Sequence, residues 1–298
     1  MLLKSFEQRV RKAFSDSAIQ YEVFSQLQKE IGRELSQKII SLNQVDPSIR
    51  TTAMAVGLTQ DSAPRVEKKG TTGMPVGLHY ILDIGMGTGW FTNRLSFLFP
   101  DSLVIGLDFA TGMVKFAKRK YEELKVIQAD AGHLPFKENS FDVITSNLAY
   151  QWVLDLKEAF KDTFRILKPK GTICLTMFGY ESLKEMYNCL EQTRPYQNQR
   201  IIPFKRLPSL EELILSLESS GFQNIELNRE ILKVHFMDLF ELIFWLKKIG
   251  ANTSYQNIFI GHNWLKSANE YYKKHFASRF GIDASFEIFW VKAEKEKP

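Results

Sequence analysis

Apolar positions at residues 5–41 fall at helical intervals: Phe6, Val10 and Phe14, then Val23, Leu27, Ile31, Leu35 and Ile39 every four residues. That spacing lines one face of a helix. Ser15-Asp16-Ser17 between the two sets reads as a break or an N-cap, so a helix pair is expected over 1–43. Residues 44–78 have neither period. Instead Thr51-Thr52-Ala53-Met54-Ala55-Val56-Gly57-Leu58 returns twenty residues later as Thr71-Thr72-Gly73-Met74-Pro75-Val76-Gly77-Leu78. Two copies are too few for a solenoid, and the segment is expected to be a flexible surface insertion or a lid.

From Tyr80 the pattern changes to short apolar runs alternating with amphipathic ones. Strands are expected at Tyr80–Ile84, Leu103–Asp108, Lys125–Ala129, Phe141–Ser146 and Thr172–Phe178. Helices are expected at Trp90–Phe99, Thr111–Tyr121 and about Val153–Leu167, with a turn at Lys168–Gly171. Near-continuous apolar strands separated by helices predict a parallel sheet covered on both faces, a Rossmann-like doubly wound α/β fold. Beyond Gly179 the order loosens. Helices are expected at Ser182–Gln192, Ser209–Ser219, Asp238–Ile249 and Trp264–Phe276, a loop at Thr193–Leu207, one or two strands in Ile225–Phe236 and a last, antiparallel strand at Phe286–Ala293. One domain over 79–298, with no second core, accounts for the rest of the chain.

Composition narrows the class. Hydrophobic residues make up 44% and charged residues 24% of the 298, ordinary for a globular protein with a full core. Apolar runs are too short for a membrane helix, and residues 1–11 lack a secretory hydrophobic region. The only cysteines, Cys174 and Cys189, support neither a disulfide framework nor a cysteine-rich metal site, so a reducing, cytoplasmic setting is expected. The five histidines are scattered and form no H-x-x-x-H or H-E-x-x-H pair, so no metal site is expected. A net charge of +5 favours acidic partners without choosing one.

The candidate chemistry begins at Asp83-Ile84-Gly85-Met86-Gly87-Thr88-Gly89. Alternate glycines let the chain turn sharply after a strand and let a ligand approach the backbone, and the following helix offers free N–H groups. The spacing is G-x-G-x-G and not the G-x-G-x-x-G of a pyrophosphate site, which disfavours a nicotinamide dehydrogenase. Asp108, ending the second strand, reads either as a ribose acceptor or as an N-cap of the next helix. Asp130, in Gln128-Ala129-Asp130-Ala131, reads either as an acceptor for an adenine amino group or as part of a plain surface turn. Together they mark three strand ends at the carboxyl rim, where such sheets bind ligands. No N-P-P-Y or D-P-P-Y segment follows the fourth strand, as it does in amino-directed nucleic-acid methylases.

With these residues in view, Tyr80 to Phe178 resembles the nucleotide-binding half of the class I S-adenosylmethionine-dependent methyltransferases. Met86 stands where their first motif usually has cysteine. The resemblance implies a seven-stranded sheet with an N-terminal helical cap. It also implies an S-adenosyl-L-methionine site built from Tyr21, Gln28, Asp83, Gly85, Met86, Gly87, Gly89, Asp108, Phe109, Met113, Asp130, Ala131 and Asn147. A narrower likeness is carried by Ser146-Asn147-Leu148-Ala149-Tyr150-Gln151-Trp152. It is joined by Ala13-Phe14 with Ala18, Tyr21 and Gln28, by Gly179 with Ser182-Leu183-Lys184-Glu185, by Arg194-Pro195-Tyr196 with Asn198 and Arg200, and by Leu246-Lys247-Lys248-Ile249-Gly250-Ala251. These resemble the malonyl-[acyl-carrier protein] O-methyltransferases of biotin synthesis; the 44–78 insertion is foreign to that pattern.

The likeness implies methyl transfer to the free carboxylate of a malonyl thioester on acyl-carrier protein. Another small acid, a quinone precursor or an amine is the alternative acceptor, and an assembly factor that keeps the fold without catalysis is the non-enzymatic reading. Candidate catalytic residues are Tyr21 closing over the cofactor, Gln151 orienting the carboxylate, and Arg194 and Arg200 as a guanidinium clamp. Trp152 and Phe178 are expected to wall the site. Lys168, Lys170, Lys184, Lys205 and Arg206 are candidates for docking the acidic carrier.

Overall fold

The computed structural model describes residues 2–42, 79–195, 207–251 and 261–296, with side chains from Phe6 onward. The 44–78 repeat and Arg200, Lys205 and Arg206 lie outside the described residues. Two helices lead: α1 (Leu2–Phe24) and α2 (Gln26–Leu42). Then come β1 (Tyr80–Ile84), α3 (Trp90–Leu98), β2 (Leu103–Asp108), α4 (Thr111–Lys120), β3 (Lys125–Gln128), β4 (Phe141–Asn147), α5 (Leu156–Ile166) and β5 (Leu167–Phe178). The remaining elements are α6 (Lys184–Gln192), α7 (Leu210–Glu218), β6 (Gln223–Phe236), α8 (Leu239–Lys248), α9 (His262–His275), β7 (Ala277–Ser278) and β8 (Gly281–Glu294).

The sheet order is β3-β2-β1-β4-β5-β8-β6, with the two-residue β7 added against β8. The first five strands are parallel, and β8 runs antiparallel between β5 and β6. The expected seven strands are therefore present with one short addition. Ile225–Phe236 is part of one long strand, and the last strand starts earlier than expected, at Gly281, because β8 pairs with the whole of β6.

Strand alternation divides the core in two. Ile81, Val104, Val143 and Cys174 face one side, where they meet Leu27, Ile31, Leu35 and Ile39 of α2 and Leu242 and Leu246 of α8. Leu82, Ile84, Leu107, Ile144 and Leu175 face the other, against Ala159, Phe160 and Ile166 of α5 and Leu213 and Leu217 of α7. Successive side chains of a strand point to opposite faces, so each strand serves both layers only if nearly every position is apolar. Capping fixes the helices: Asp155 accepts from the Glu158 N–H, and Ser209 and Glu212 form a reciprocal capping box.

Two local expectations fail. α1 runs unbroken through Ser15-Asp16-Ser17, and the break falls at Ser25. The Ser15 hydroxyl accepts from the Gly112 N–H and the Ser17 hydroxyl donates to the Phe14 carbonyl, so both serines are used in tertiary and back-bonding contacts and neither caps a helix. Because the chain redirects at Ser25, Val23 leaves the Leu27–Ile39 stripe and is 65% exposed. The Lys168–Gly171 turn is absorbed into β5 as an irregularity, with Lys170 at φ 67°.

Phe160 is fully buried, stacked on Tyr150 at 5.0 Å and edge-on to Phe222. Phe160→Ala is expected to lower stability by about 3–5 kcal/mol in urea denaturation. A loss below about 1 kcal/mol would mean that this layer collapses around the missing ring.

Candidate active site

The site forms where β1, β2, β3 and β4 end. Gly85, Gly87 and Gly89 all have positive φ (74°, 56° and 83°), a backbone that residues with a Cβ rarely adopt. At Gly85 space also decides, because a Cβ there would lie 2.1 Å from the Ala149 Cβ. The turn folds down on β2: the N–H groups of Gly85 and Met86 both donate to the Leu107 carbonyl, at 2.7 and 2.9 Å. Met86 does not line the large cavity. It is 5% exposed and packs with Val114 and Ala117, as a soft filler does. Gly89 heads α3 from behind the turn, against Ala117.

Asp108 does not cap the next helix, whose N-cap is Ala110 with no side-chain cap bond, and it borders the ligand space. Its Oδ1 accepts from the Ala110 N–H at 2.8 Å and its Oδ2 from the Gly87 N–H at 2.9 Å. Each carboxylate oxygen has further lone pairs to offer a diol. Asp130 is more open. Its Oδ1 accepts from the Gly132 N–H at 2.9 Å, and its Oδ2 faces Arg11 of α1 at 3.8 Å. Asn147 is a tether: its amide donates to the Gln28 carbonyl of α2 and accepts from Thr176 of β5.

These groups surround a cavity of about 260 Å³ whose walls include Gly85, Gly87, Asp108, Phe109, Met113, Asp130, Ala131 and Asn147. Phe14 and Tyr21 of α1 form the opposite wall, with the Phe14 ring 5.2 Å from Trp152, 6.4 Å from Phe109 and 6.5 Å from Tyr21. A second cavity, of about 80 Å³, adjoins it and is mostly aromatic and aliphatic: Trp152, Phe178, Tyr187, Trp245 and Phe286, with Gln28, Gln151 and Ser182 as polar groups. Phe14, Tyr21, Leu148 and Trp152 line both cavities. Burial, followed by the carboxylates of Asp108, Glu22 and Asp83, holds the Tyr21 phenol far above its ordinary pKa, so it stays protonated as a donor.

Of the candidate catalytic residues, Tyr21 and Gln151 thus come together. Arg194 does not line these cavities; it follows α6 and pairs with Glu191 at 3.2 Å. Lys168 and Lys170 lie at the start of β5, the end of the sheet opposite the site, and Lys168 is held by both oxygens of Asp142 at 2.9 Å. Lys184 pairs with Glu181. Sequence reasoning missed Leu148, Tyr187 and Trp245 as cavity walls. Leu148 carries a signal only in its backbone, at φ 55°, and Trp245 looks in sequence like any apolar helix position. Among the described residues no group of His, Cys, Asp or Glu could hold a metal ion.

Asp83 is fully buried under the turn, where its Oδ2 accepts from Thr92 at 2.7 Å and its Oδ1 has no partner. Burial first, with Asp108 adding, pushes its pKa up to about 7 against the bond from Thr92; burial pushes Asp108 up to about 6. The folded protein therefore keeps protons that the unfolded chain has released. The stability tied to these two groups is full below pH ~4 and is lost as pH rises through about 7. Urea denaturation from pH 5 to 8 should give Asp83→Asn a flatter profile than the parent protein; parallel profiles would refute the shift.

Comparison with known proteins agrees with this geometry. The methyltransferase domain family model matches residues 82–175. The malonyl-[acyl-carrier protein] O-methyltransferase of Xylella fastidiosa is 30% identical over 250 residues, covering 83% of this chain and 72% of that protein. The protein of the same name from Bacillus anthracis is 24% identical over 96% of this chain and 97% of its own length. The biotin biosynthesis bifunctional protein BioHC of Teredinibacter turnerae is 26% identical over 98% of this chain, which spans about half of that longer protein (48%). Among solved structures, the YcgJ protein of Bacillus subtilis superposes with a TM-score of 0.53 at 20% identity, covering 74% of this chain and 93% of that one, a likeness of fold. With a relative 30% identical over most of both chains, the protein belongs to the family of malonyl-[acyl-carrier protein] O-methyltransferases.

Proposed function

We propose that this protein transfers the methyl group of S-adenosylmethionine to the free carboxylate of a malonyl thioester held on acyl-carrier protein, an early step of biotin synthesis. The observation that carries the reading is the junction of the two cavities. Phe14, Tyr21, Leu148 and Trp152 are walls of both, so a donor in the larger one and an acceptor in the smaller one meet there. Family membership supports the acceptor.

When bound, S-adenosylmethionine supplies a methyl group already activated on a sulfonium. The residues present suit it. Asp108 and Asp130 offer acceptors at adjacent strand tips, and the buried Oδ1 of Asp83 and Oε1 of Gln28 have no protein partner. A malonyl carboxylate, with a reference pKa near 4, is ionised at neutral pH and needs no general base. The smaller cavity agrees with that, for its described walls include no histidine, carboxylate or cation. Gln151 is 3% exposed and fixed by its Nε2, which donates to the Leu148 carbonyl at 2.7 Å. The second N–H of that amide is the donor offered to a carboxylate oxygen. Tyr21, held protonated, donates from the junction. Trp152, Phe178 and Phe286 exclude water around the acceptor, so alignment and desolvation do most of the work. Arg200, and a basic surface for the acidic carrier, remain part of the proposal through family likeness. Cys174 and Cys189 are both free and buried, in keeping with a reducing, cytoplasmic setting.

The test is a methyl-transfer assay on malonyl-acyl-carrier protein, run beside a free small acid, a quinone precursor and an amine. Preference for the malonyl carrier is expected, and transfer only to one of the others would replace the acceptor. In parallel, Asp108→Asn should weaken cofactor binding in calorimetry about tenfold or more, because a ribose hydroxyl loses a charged acceptor.

A further inference from the structure

β5 stops pairing with β8 at Phe178, opposite Ile288. Beyond that point the chain from Gly179 to Glu185 hangs on two residues of β8, Glu287 and Ser285. The Glu287 carbonyl accepts from the Gly179 N–H at 2.9 Å and from the Ser182 hydroxyl at 3.2 Å, while the Glu287 N–H donates to that hydroxyl at 3.0 Å. The Ser285 carbonyl accepts from the Leu183 N–H at 2.6 Å, and the Ser285 N–H and hydroxyl donate to the two oxygens of Glu185 at 3.1 and 2.5 Å. This anchored segment builds one side of the smaller cavity. Phe178, Ser182 and Leu183 are walls, as is Phe286, which stands between the two anchors.

The Glu287 side chain adds a bond that the strand ladder does not require. It is 3% exposed. Its Oε2 accepts from the Glu181 N–H at 2.8 Å, and its Oε1 from the Nε of Arg229 on β6. Gly179 makes room for it, because a Cβ there would lie 2.3 Å from that Oε2. Burying a carboxylate is costly unless it is paired. Leu183 adds strain, with φ at 60°, which a branched side chain rarely adopts. Strain of this kind persists only where the surroundings over-determine it. Both costs fall on the segment that walls the cavity.

We propose that Glu287, paired with Arg229, is a positioning residue for methyl transfer: its carboxylate fixes the Gly179–Leu183 segment and so sets the shape of the smaller cavity. The proposal rests on the reading of that cavity as the acceptor site. Glu287 lines neither cavity and acts through Ser182 and Leu183. Arg229, which is half exposed, balances its charge, so a cavity that takes an anionic acceptor is not backed by an uncompensated carboxylate.

The experiment measures kcat and the KM for malonyl-acyl-carrier protein in full-chain variants, with S-adenosylmethionine binding followed by calorimetry. Glu287→Ala should raise that KM about tenfold or more, the worth of a charged hydrogen bond at a buried site, with kcat changed less and cofactor binding unchanged. Should Glu287→Ala not fold, Arg229→Met, a change at the half-exposed end of the pair, carries the same test and should move KM in the same direction. Arg229→Met combined with Glu287→Gln removes both charges yet keeps an oxygen for the Glu181 N–H, so KM should return toward the wild-type value. Lys292→Met breaks the 2.7 Å pair with Glu226 on the same two strands, away from the segment, and should leave KM unchanged. The proposal fails if Glu287→Ala and Arg229→Met leave KM unchanged, or if they weaken cofactor binding as much as they raise KM. It fails equally if the double variant shows no recovery, or if Lys292→Met raises KM alike. A wild type that methylates only another acceptor would instead bring down the malonyl reading, and the same variants are then judged by the KM of that acceptor.

Discussion

The geometry of the site follows from one close approach. At Gly85 the backbone leaving β1 passes so near Ala149, which follows β4, that no side chain fits between them. The same turn is tied to β2 through the Leu107 carbonyl and the Asp108 carboxylate. Three strand tips are thus fixed against one another by a close approach, two backbone hydrogen bonds and one carboxylate. Backbone contacts of this kind do not depend on rotamers, which suits a site that works by alignment. The orphaned oxygen of Asp83 lies under the same turn, so one constraint both shapes the ligand space and leaves a buried acceptor there.

The helical cap is held differently. α1 meets the domain through side chains: Arg11 reaches Asp130 and the Phe109 ring, Glu22 joins Lys29 and Lys120, and Phe14 packs among Phe109, Trp152 and Tyr21. At its far end, Trp245 of α8 donates to the Phe24 carbonyl. Beside these contacts, Phe6, Val10 and Ala18 of α1 are buried, and Ala18 packs with Ala110 and Met113, so the cap is held by apolar packing as well as by ion pairs.

The parallel half of the fold was legible because its signals are local. An apolar strand, a glycine turn and an acid at the next strand end each lie within a few residues, and β2 matched its expected bounds, Leu103–Asp108. The misread places are those decided by distant partners. Ser15 and Ser17 have the composition of a helix break, yet Ser15 is spent on Gly112, 97 residues away. The smaller, aromatic cavity was hidden for the same reason. It is assembled from α1, the turn after β4, the segment after β5 and α8, and Trp245 and Tyr187 have no motif that distinguishes them from core residues.

Charge divides the two cavities. In the larger, two carboxylates stand at the strand tips; the described walls of the smaller are neutral. On the proposed reading, a carboxylate entering the smaller cavity finds an opposite charge on the sulfonium beyond Tyr21. A guanidinium clamped on the reacting oxygen would withdraw electron density from it, whereas amide and phenol donors orient it at less cost to its nucleophilicity. Removing water from two opposite charges strengthens their attraction, because the interaction scales inversely with the local dielectric. On the proposed reading, the aromatic walls of the smaller cavity therefore contribute to bringing oxygen and methyl together.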